Sequence, residues 1–389
     1  MYQKKNNLIN GIIAEFNPFH SGHKYLIEEA KNKTGAKYTV IVMSGNYTQR
    51  GTPAFFDKYI RTEMALRCGA DLVLELPTAY ATSSAEIFAR GGVSILDKLN
   101  CVDCLCFGSE SGNLETLTVQ AEKVMDETSD SSELVKEYLK EGKTYPQSLS
   151  LALGNDVPST PNDILGVEYI KALKKYESDM IPVTIKRCDN GYSELSLSNE
   201  GKYSSAASIR EAIIHKNGSW GDFIPAEISD TKLFESPFIL SNDFSQALLL
   251  SLLNNIDTGY EDYLDVTKDL SNRIIKNTKL YKDVESFALT LKSRNYTLAR
   301  IYRCLLHIML GIRKSDILNE ITQVRVLGIK KDAHELMGIL NEKTSINLIT
   351  KPAKEELSPM LVKDILCSEL YMHTMYGEYS EYSRPIITI

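Results

Sequence analysis

Short apolar runs alternate with amphipathic stretches through the first half of the chain, and no other pattern in the sequence limits the possible folds so strongly. The apolar runs are rich in Ile, Val and Leu and predict strands at Leu8–Ala14, Tyr38–Met43, Asp71–Leu76, Cys101–Phe107 and Ile181–Lys186. Between them apolar residues recur every three or four positions, which predicts helices at 21–33, 57–68, 84–98, 113–126 and 163–177. This order implies right-handed crossovers and a parallel sheet with helices on both faces.

The pattern changes after residue 215. Lys216–Pro225 combines two glycines with a tryptophan and a proline, as at a linker or domain edge. The stretches beyond it predict helices at Asn242–Asn254, Tyr260–Ile275, Lys279–Leu291 and Thr297–Ile312. A chain of 389 residues is long enough for two or three domains. We therefore predict an α/β protein with a Rossmann-like parallel-sheet domain at residues 1–220, followed by a mainly α-helical domain at residues 221–389.

The cysteines and the hydropathy pattern narrow the class of protein further. Seven cysteines in a chain of this length are too few and too scattered for a disulfide scaffold, which indicates a reducing compartment. Cys101, Cys104 and Cys106 have part of the spacing of a zinc site, but no second pair completes it, so buried strand thiols are favoured. The chain shows no signal peptide and no run near the roughly 18–20 apolar residues of a membrane helix. We expect a soluble cytoplasmic protein that contacts no membrane.

The residues after the first predicted strand offer a site for phosphates. Neither a G-x-G-x-x-G fingerprint nor a P-loop is present. Instead, His20 and His23 flank the predicted start of a helix, whose backbone N–H groups attract anions. Two imidazoles there can donate hydrogen bonds to a triphosphate as charge builds up at the α-phosphorus. A metal pair is the alternative, but no third ligand lies nearby. We predict that His20 and His23 are catalytic and that no metal is bound by the protein itself.

A second motif lies at the end of the predicted α/β domain. Ser204–Arg210 opens a helix after the fifth predicted strand. The hydroxyl of Ser208 and the guanidinium of Arg210 are suited to the β- and γ-phosphates of a nucleotide. An ordinary capped surface helix is the alternative interpretation.

Together the two motifs resemble the nucleotidyltransferase superfamily that carries H-x-G-H after the first strand of a Rossmann-like domain and S/T-x-x-x-I/V-R near its end. Further segments are similar to the tRNA(Met) cytidine acetate ligase family within it: Ser44–Gly51, Gly69–Pro77, Phe107–Glu110, Pro161–Gly166 and Arg325–Gly328. The resemblance covers most of the chain. It implies a ligase that uses ATP to form acetyl-adenylate and then acetylates N4 of the wobble cytidine of elongator tRNA(Met).

The resemblance also implies the nucleotide contacts. The ATP-binding residues would be Ile13, Ala14, Glu15, Phe16, Asn17, Pro18, Phe19, His20, Ser21, Gly22, His23, Lys24, Tyr25, Leu26, Gly108, Asn162 and Arg187, with Ser208 and Arg210. A glycine at position 108 would let the adenosine approach the backbone. Asn162 could pair with a base or ribose edge, or could cap the following helix. Phe16 stands where the family usually has tyrosine, and Ser21, where asparagine is common, keeps the capacity to cap a helix.

Charge is distributed unevenly along the chain. The formal net charge of −7 argues against a nucleic-acid partner when it is taken as a total. Residues 271–330, which we call the basic segment, nevertheless carry twelve basic and four acidic residues, a net charge of +8. Cations there alternate with tyrosines, which suits contact with phosphates and stacked bases. A solvated helix face is the alternative. We predict that tRNA is bound by Lys292, Arg294, Arg300, Arg303 and Arg325.

The expected reactants are therefore ATP, acetate and tRNA, with Mg²⁺ accompanying ATP and no tightly bound cofactor. Two other functions remain open from the sequence. A small-molecule adenylyltransferase of the same superfamily, acting on pantetheine phosphate or nicotinamide mononucleotide, would use the same H-x-G-H motif but would not need a long basic helical region. A nucleotide-dependent RNA-binding protein without catalysis would not need two intact histidines.

Overall fold

The computed structural model describes residues 8–125, 160–187, 203–229 and 231–389, with isolated positions between 133 and 152. Residue 126 of a predicted helix and Cys188 lie outside the described residues. In the first half the strands are β1 (Ile9–Ala14), β2 (Tyr38–Ser44), β3 (Leu72–Leu76), β4 (Cys104–Ser109) and β5 (Ile181–Lys186). The helices are α1 (Ser21–Thr34), α2 (Lys58–Arg67), α3 (Thr78–Ala81), α4 (Ala85–Lys98), α5 (Leu114–Met125), α6 (Pro161–Lys175) and α7 (Ala206–Ile214).

The second half is mostly helical but also contains strands. Its helices are α8 (Ala226–Ser229), α9 (Ser245–Asn254), α10 (Lys268–Asn277), α11 (Val284–Leu291), α12 (Leu298–Leu310), α13 (His334–Lys343) and α14 (Pro359–Tyr376). Short 3₁₀ turns lie at Gly218–Phe223, Lys232–Glu235, Ser241–Phe244, Thr278–Leu280, Lys314–Ile317 and Pro352–Lys354. The strands are β6 (Gln323–Ile329), β7 (Asn347–Ile349) and β8 (Ile387–Thr388).

The described strands form one eight-stranded sheet in the order β5-β4-β1-β2-β3-β6-β7, with β8 also paired to β6. Strands β1 to β5 are parallel to one another, and β6 joins β3 in the antiparallel direction. The chain order reverses on the two sides of β1, which makes the carboxyl end of that strand a topological switch point where α/β sheets bind ligands. The Rossmann-like fold followed by a mainly helical part is thus confirmed, while the division at residue 220 stays a prediction.

Both faces of the sheet are covered, as a parallel sheet requires. Along β2, Val40 and Val42 belong to one apolar cluster, and the alternating Ile41 and Met43 belong to a second cluster on the other face. All four side chains are fully buried. A near-continuous apolar run in the sequence therefore corresponds to a strand that is buried on both sides.

Some predicted bounds differ from the structure for identifiable reasons. The fourth strand begins at Cys104 rather than Cys101, and it carries the buried thiols of Cys104 and Cys106. The helix predicted from Tyr260 begins only at Lys268, because Thr267 caps it through the Leu270 N–H and Asp265 has a φ of 65°. Periodicity alone does not show such caps, so it extends helices into the preceding turn.

Arg61 connects the carboxyl ends of β1 and β2 by hydrogen bonds. Its side chain is completely buried in α2 and donates hydrogen bonds to the carbonyl oxygens of Glu15 at 2.7 Å and Ser44 at 3.0 Å. These carbonyls follow β1 and end β2, where no further strand pairing is available to them. Among the described residues no helix is long and apolar enough to span a membrane.

Candidate functional site

A cavity of about 190 Å³ opens at the carboxyl ends of the central strands. Its walls come from the segment after β1, the loop after β2, the ends of β4 and β5, and the starts of α6 and α7. Of the residues predicted to bind ATP, it brings together Ile13, Ala14, Glu15, Phe16, Asn17, His20, His23, Leu26, Gly108, Asn162, Arg187 and Arg210. Gly22 and Tyr25 line a smaller adjoining pocket beside both histidines. The cavity lies at the switch point of the sheet, which is where the topology places a ligand.

The two histidines lie face to face at the start of α1. Their ring centroids are 3.7 Å apart with an interplanar angle of 30°. The backbone N–H of Gly22 donates to Nδ1 of His20 at 3.0 Å, and the backbone N–H of His20 donates to Nδ1 of His23 at 3.3 Å. A neutral imidazole whose Nδ1 accepts a hydrogen bond carries its proton on Nε2. The backbone therefore orients each ring so that Nε2 is its donor.

His20 is the N-cap of α1, which corrects the expectation that Ser21 would cap it. Helix α1 begins at Ser21, and the Ser21 hydroxyl instead donates to the carbonyl oxygen of Phe223 at 2.8 Å. The cap needs an acceptor on the residue just before the helix, and the imidazole Nδ1 supplies it. A Cβ built on Gly22 would lie 2.9 Å from the His20 ring, so a glycine between the histidines lets this ring fold back over the helix start.

Burial decides the charge of His23. Burial, followed by electrostatic interactions with His20 and with the Arg187 guanidinium, lowers the pKa of His23 well below its usual value of 6.5. Its ring packs edge-on against Phe16, with centroids 4.9 Å apart. Phe16 itself is buried and contacts Phe19 in the same way, so the phenylalanine at this position serves as an apolar support for the histidine. His23 thus acts as a neutral donor near pH 7.

Glu15 places a carboxylate beside this pair. Its Oε1 accepts a hydrogen bond of 2.6 Å from the backbone N–H of Gln49, in the loop after β2. Burial raises the pKa of Glu15, although that hydrogen bond and the charges of Arg50, Arg61 and Arg210 oppose the rise. The carboxylate joins the end of β1 to the neighbouring loop and lines the cavity.

The second motif reaches the cavity through Arg210, which was predicted, and through Ser205 in place of the predicted Ser208. Arg210 lines the cavity and donates to the carbonyl oxygen of Asn17 at 2.5 Å. Ser208 is wrong as a phosphate ligand, because its side chain is buried and its hydroxyl donates to the carbonyl oxygen of Ser205 at 2.8 Å. Ser205 is both the N-cap of α7 and part of the cavity wall. It is also the first residue of the S-x-x-x-I-R pattern, a signal by which the sequence could have identified it.

Gly108, Asn162 and Arg187 form the wall on the β4 side. The side-chain amide of Asn162 donates to Oε1 of Glu110 at 2.6 Å, and Thr160 donates to Oε2 of Glu110 at 3.0 Å. Thr160 is the N-cap of α6, so the alternative that Asn162 caps this helix is wrong. The Arg187 N–H donates to the carbonyl oxygen of Ser109 at 2.9 Å and so continues the β5 pairing to the cavity.

Other residues of the predicted ATP segment lie outside both pockets. Phe19 is completely buried, and Pro18 is buried beside it. Lys24 is paired with Glu227 at 2.5 Å on α8, at the outer side of α1. The side chains of Pro18 and Phe19 pack inside the segment, because a compact loop between a strand and a helix buries some of its own residues. Phe19 thus supports the segment from within, and its contact with ATP stays a prediction.

The loop after β2, residues 45–53, is the part of the site for which the sequence analysis assigned no role. Thr48, Gln49, Arg50 and Thr52 line the cavity opposite the β4 side. The side-chain Nε2 of Gln49 is buried without a hydrogen-bond partner among the described residues. Position after a parallel strand is the signal that could have marked this loop, because such loops line the ligand crevice.

The predicted RNA contacts fall on the surface at α12 and the turn before it. Lys292 and Arg294 are exposed, and a bridge between Ser293 and Tyr296 closes the tight turn that carries Arg294. Arg300 lies 5.3 Å from the ring centre of Tyr296. Arg303 is mostly buried and is paired with Asp265 at 2.8 Å. The turn therefore presents its cations more openly than the helix does.

Arg325 does not belong to this surface, which corrects its predicted role in binding tRNA. It lies on β6, is 1% exposed, and donates to the carbonyl oxygens of Thr350 at 2.6 Å and Arg384 at 2.7 Å. Its guanidinium is also 3.6 Å from Glu381. A strand residue buried in this way holds the C-terminal segments together and cannot reach a phosphate at the surface.

Metal binding has little support in the described residues. No group of three or more His, Cys, Asp or Glu side chains in them is arranged to hold an ion. The cavity wall contains one carboxylate, Glu15, in the part of the chain that the structure describes. A single carboxylate does not form the oxygen cage that a hard cation prefers, and the absence of a dedicated Mg²⁺ site stays a prediction.

Comparison with known proteins agrees with this geometry. Residues 8–384 match the family described as HIGH Nucleotidyl Transferase. A protein of Thermoanaerobacter sp. (strain X514) named tRNA(Met) cytidine acetate ligase is 40% identical over 386 residues, which cover 93% of this chain and 94% of that protein. A protein of the same name from Staphylococcus saprophyticus is 32% identical and covers 97% of this chain and 99% of its own length.

Solved structures show the same architecture. The apo crystal structure of Thermotoga maritima TmcAL superposes with a TM-score of 0.89 at 27% identity, covering 98% of this chain and 99% of that one. A second TmcAL crystal structure, bound with alpha-thio ATP, superposes with a TM-score of 0.87. The relatives match both the cavity-bearing half and the helical half. This chain therefore belongs to the HIGH nucleotidyltransferase family and, within it, to the tRNA(Met) cytidine acetate ligases.

Proposed function

We propose that this protein activates acetate with ATP and transfers the acetyl group to N4 of the wobble cytidine of elongator tRNA(Met). The observation that carries the proposal is the cavity at the switch point, where His20 and His23 meet Arg187 and Arg210. The names of the relatives support the acetate and tRNA(Met) substrates. The nucleotide is supported by the alpha-thio ATP bound to Thermotoga maritima TmcAL. Because the proposed substrate is a tRNA, we expect the enzyme to act in the cytoplasm.

In the first step a carboxylate oxygen of acetate attacks the α-phosphorus of ATP. The bond between the α-phosphorus and the bridging oxygen to the β-phosphorus breaks, giving acetyl-adenylate and pyrophosphate. The Nε2–H groups of His20 and His23 donate to phosphate oxygens as negative charge moves to the leaving group. Arg210, held by the Asn17 carbonyl, and the hydroxyl of Ser205 bind the departing phosphates. Mg²⁺, carried by ATP itself, would neutralise phosphate charge.

In the second step the amino group of cytidine attacks the acetyl carbonyl. The bond between the carbonyl carbon and the phosphate oxygen breaks, AMP leaves, and the amino group releases one proton to water. An acyl-adenylate is already activated, so this step requires positioning of the RNA rather than a protein nucleophile. We propose that residues 221–389 supply that positioning and that Lys292 and Arg294, with Arg300 and Arg303 beside them, contact tRNA phosphates. The adenylating part would then correspond to residues 1–220.

A small-molecule adenylyltransferase remains the competing function. It would share the cavity but would need no partner surface in the second half. The curated relatives match this chain over more than nine-tenths of their own length, including that half. This favours the ligase.

The proposal is tested by incubating the protein with labelled acetate, ATP and total tRNA, then digesting the RNA to nucleosides. We expect label in N4-acetylcytidine. His20→Asn keeps a side-chain acceptor for the Gly22 N–H but removes the imidazole donor, so the rate should fall about a hundredfold without loss of folding. Exposed His334, replaced by Asn, serves as the matched control. Absence of label in cytidine with the wild-type protein would refute the function.

A further inference from the structure

Gln49 carries a buried polar group for which the described part of the chain offers no partner. Its side-chain Nε2 is shielded from water, yet it has no hydrogen-bond partner among the described residues. A buried donor left unpaired is costly, so such groups in a folded protein usually have a purpose. Gln49 is also among the residues that line the cavity containing both histidines. A ligand in the cavity is therefore the natural partner of this donor.

The position of Gln49 separates it from the nucleotide contacts. Gly108, Asn162 and Arg187 lie beyond β1 on the β4 side, and the histidines lie at the end of β1 itself. Gln49 lies on the opposite side of β1, in the loop after β2. A nucleotide that reaches from the β4 side to the histidines leaves the β2 side of the same cavity for the second reactant.

The surroundings of Gln49 favour a small anion. Arg50 lines the same wall, and its charge acts on Glu15, as does the charge of Arg210. The backbone N–H of Gln49 is already used by Glu15 at 2.6 Å, so the loop is held in place independently of the side-chain amide. A neutral amide donor next to arginines is suited to a carboxylate, which offers only acceptors.

The same loop also faces the second half of the protein. A Cβ built on Gly51 would overlap the backbone nitrogen of Arg303, so the loop packs directly on α12. Tyr47 donates to the carbonyl oxygen of Cys367 on α14 at 3.2 Å. An acyl group activated beside Gln49 would thus lie between the nucleotide and the helix that bears part of the basic segment, where an RNA base must arrive.

We propose that the side-chain amide of Gln49 is the group that recognises the carboxylate of the acyl substrate, in a subsite on the β2 side of the cavity. The proposal rests on the acetate-activating function proposed above. The Nε2–H donates to one carboxylate oxygen and leaves the other oxygen to attack the α-phosphorus. No proton is transferred in this step.

The test measures pyrophosphate exchange into ATP as a function of acetate concentration, with and without tRNA. Gln49→Met keeps the length of the side chain but removes the donor. We expect the KM for acetate to rise about tenfold to a hundredfold, as for a lost hydrogen bond to a charged group, while the Kd for ATP changes less than about twofold. Gln49→Glu should raise the KM for acetate further, because a second carboxylate repels the substrate. Gln246→Met, on the exposed side of α9, is the matched control.

Thermal unfolding provides the readout that separates recognition from a structural role. Because Nε2 is unpaired, Gln49→Met should unfold at the same temperature as the wild type or higher. An unchanged KM for acetate in a folded Gln49→Met, or equal rises in the KM for acetate and the Kd for ATP, would overturn the subsite while leaving the function intact. Wild-type protein that shows no acetate-dependent exchange under either condition would overturn both.

Discussion

The chemistry of this site depends on which nitrogen of each histidine carries the proton. Backbone N–H groups donate to Nδ1 of both His20 and His23, so a neutral ring presents Nε2–H to the cavity. The lowered pKa of His23 keeps that ring neutral. The pair then stabilises phosphate charge by directed hydrogen bonds, and the fixed positive charge in the cavity comes from its arginines.

Gly108→Ala should distinguish a glycine required by the ligand from one required by the fold. Among the residues that the structure describes, a Cβ at position 108 would meet only Arg187, at 3.5 Å, which is ordinary van der Waals contact. We therefore expect the variant to fold with unchanged thermal stability but to bind ATP at least about tenfold more weakly, because one added carbon in a tight pocket has an effect of that size. Calorimetric titration with ATP measures it.

The control for this prediction is Gly338→Ala in α13, where a Cβ would have no neighbour within 4 Å in the described part of the chain. That change should leave ATP binding unaltered and raise stability slightly through helix propensity. Equal ATP affinities for Gly108→Ala and the wild type would show that the nucleotide does not approach this position.

The pH dependence of stability should report the neutral state of His23. In the unfolded chain this histidine takes up a proton near pH 6.5, whereas in the folded protein its pKa is lowered. Stability should therefore decrease as the pH falls below 6.5, by up to about 1.4 kcal/mol per pH unit, until the folded ring also becomes protonated. His23→Gln should lack this part of the slope in urea unfolding between pH 7 and 5.

Exposed His334, changed to Gln, is the control for that series. Its replacement should leave the slope as in the wild type. A wild-type slope in His23→Gln would mean that the ring of His23 is protonated in the folded protein.

Loops at the carboxyl ends of strands, and the helix starts opposite them, bring the site residues together. The loop after β2 is fixed by Glu15 on one side and by α12 and α14 on the other. The start of α6 is held to the loop after β4 by Glu110. Loops clamped in this way can present side chains to a ligand with the precision of regular elements, since their backbone polar groups are already paired.

The turn before α12 carries the most accessible cations of the proposed tRNA surface. Replacing both Lys292 and Arg294 by Ala should weaken tRNA binding. The association constant should also depend less steeply on salt: the plot of its logarithm against log salt should become shallower by roughly 1.5 to 2, as expected for two lost phosphate contacts. ATP binding should not change. Filter binding at several salt concentrations measures both quantities.

The charge-matched control is the double variant of Lys351 and Lys354, two exposed lysines outside the basic segment. It should bind tRNA like the wild type. Equal losses in the two double variants would indicate general attraction to charge and would move the tRNA site elsewhere.

The two halves of the molecule are held together by shared sheet pairing and by a buried ionic cluster of Lys58, Glu75 and Glu381. Strand β6 pairs with β3, which places residues from the second half inside the sheet of the first. Lys58 lies 2.8 Å from Glu75 and 3.0 Å from Glu381, and all three side chains are almost fully buried. Tyr59 and Tyr379 donate to Glu381 at 2.5 and 2.7 Å. The C-terminal segment is thereby anchored to α2.

Glu381→Gln should destabilise the whole protein by about 3–5 kcal/mol, because it leaves Lys58 buried with one carboxylate instead of two. Burial alone would raise the pKa of Glu381. The charge of Lys58 and the hydrogen bonds from the two tyrosines outweigh burial and bring the pKa down to about 2. The stability that this carboxylate contributes is present above pH 4.5 and is lost as the pH falls toward 2. Urea unfolding of both proteins between pH 7 and 3 measures the difference.

Glu335→Gln, at an exposed ion pair with Lys37, is the control and should cost no more than about 1 kcal/mol. A Glu381→Gln variant as stable as this control would mean that the cluster does not anchor the C-terminal segment.

The local sequence pattern determined the parallel strands, the helices between them and part of the site. Alternating apolar runs and amphipathic stretches predicted the parallel strands and their helices, because the periods of strands and helices are properties of neighbouring residues. H-x-G-H after the first strand and the arginine of the second motif predicted Arg210, His20 and His23 as parts of one site, which the cavity brings together. The buried thiols of Cys104 and Cys106 on the fourth strand agree with the sequence as well.

Contacts between residues distant in the sequence decided the pairing of the last three strands and the burial of individual side chains. Strand β6 has seven residues and pairs with β3, which is far away in the sequence. Strands β7 and β8 have only three and two residues and pair with β6, so their own sequences showed little. The roles of Arg325 and Ser208 were reversed by burial, which depends on what packs over a residue rather than on its type. The unpaired amide of Gln49 could be seen only once the cavity existed, since satisfaction of a donor is a property of its surroundings.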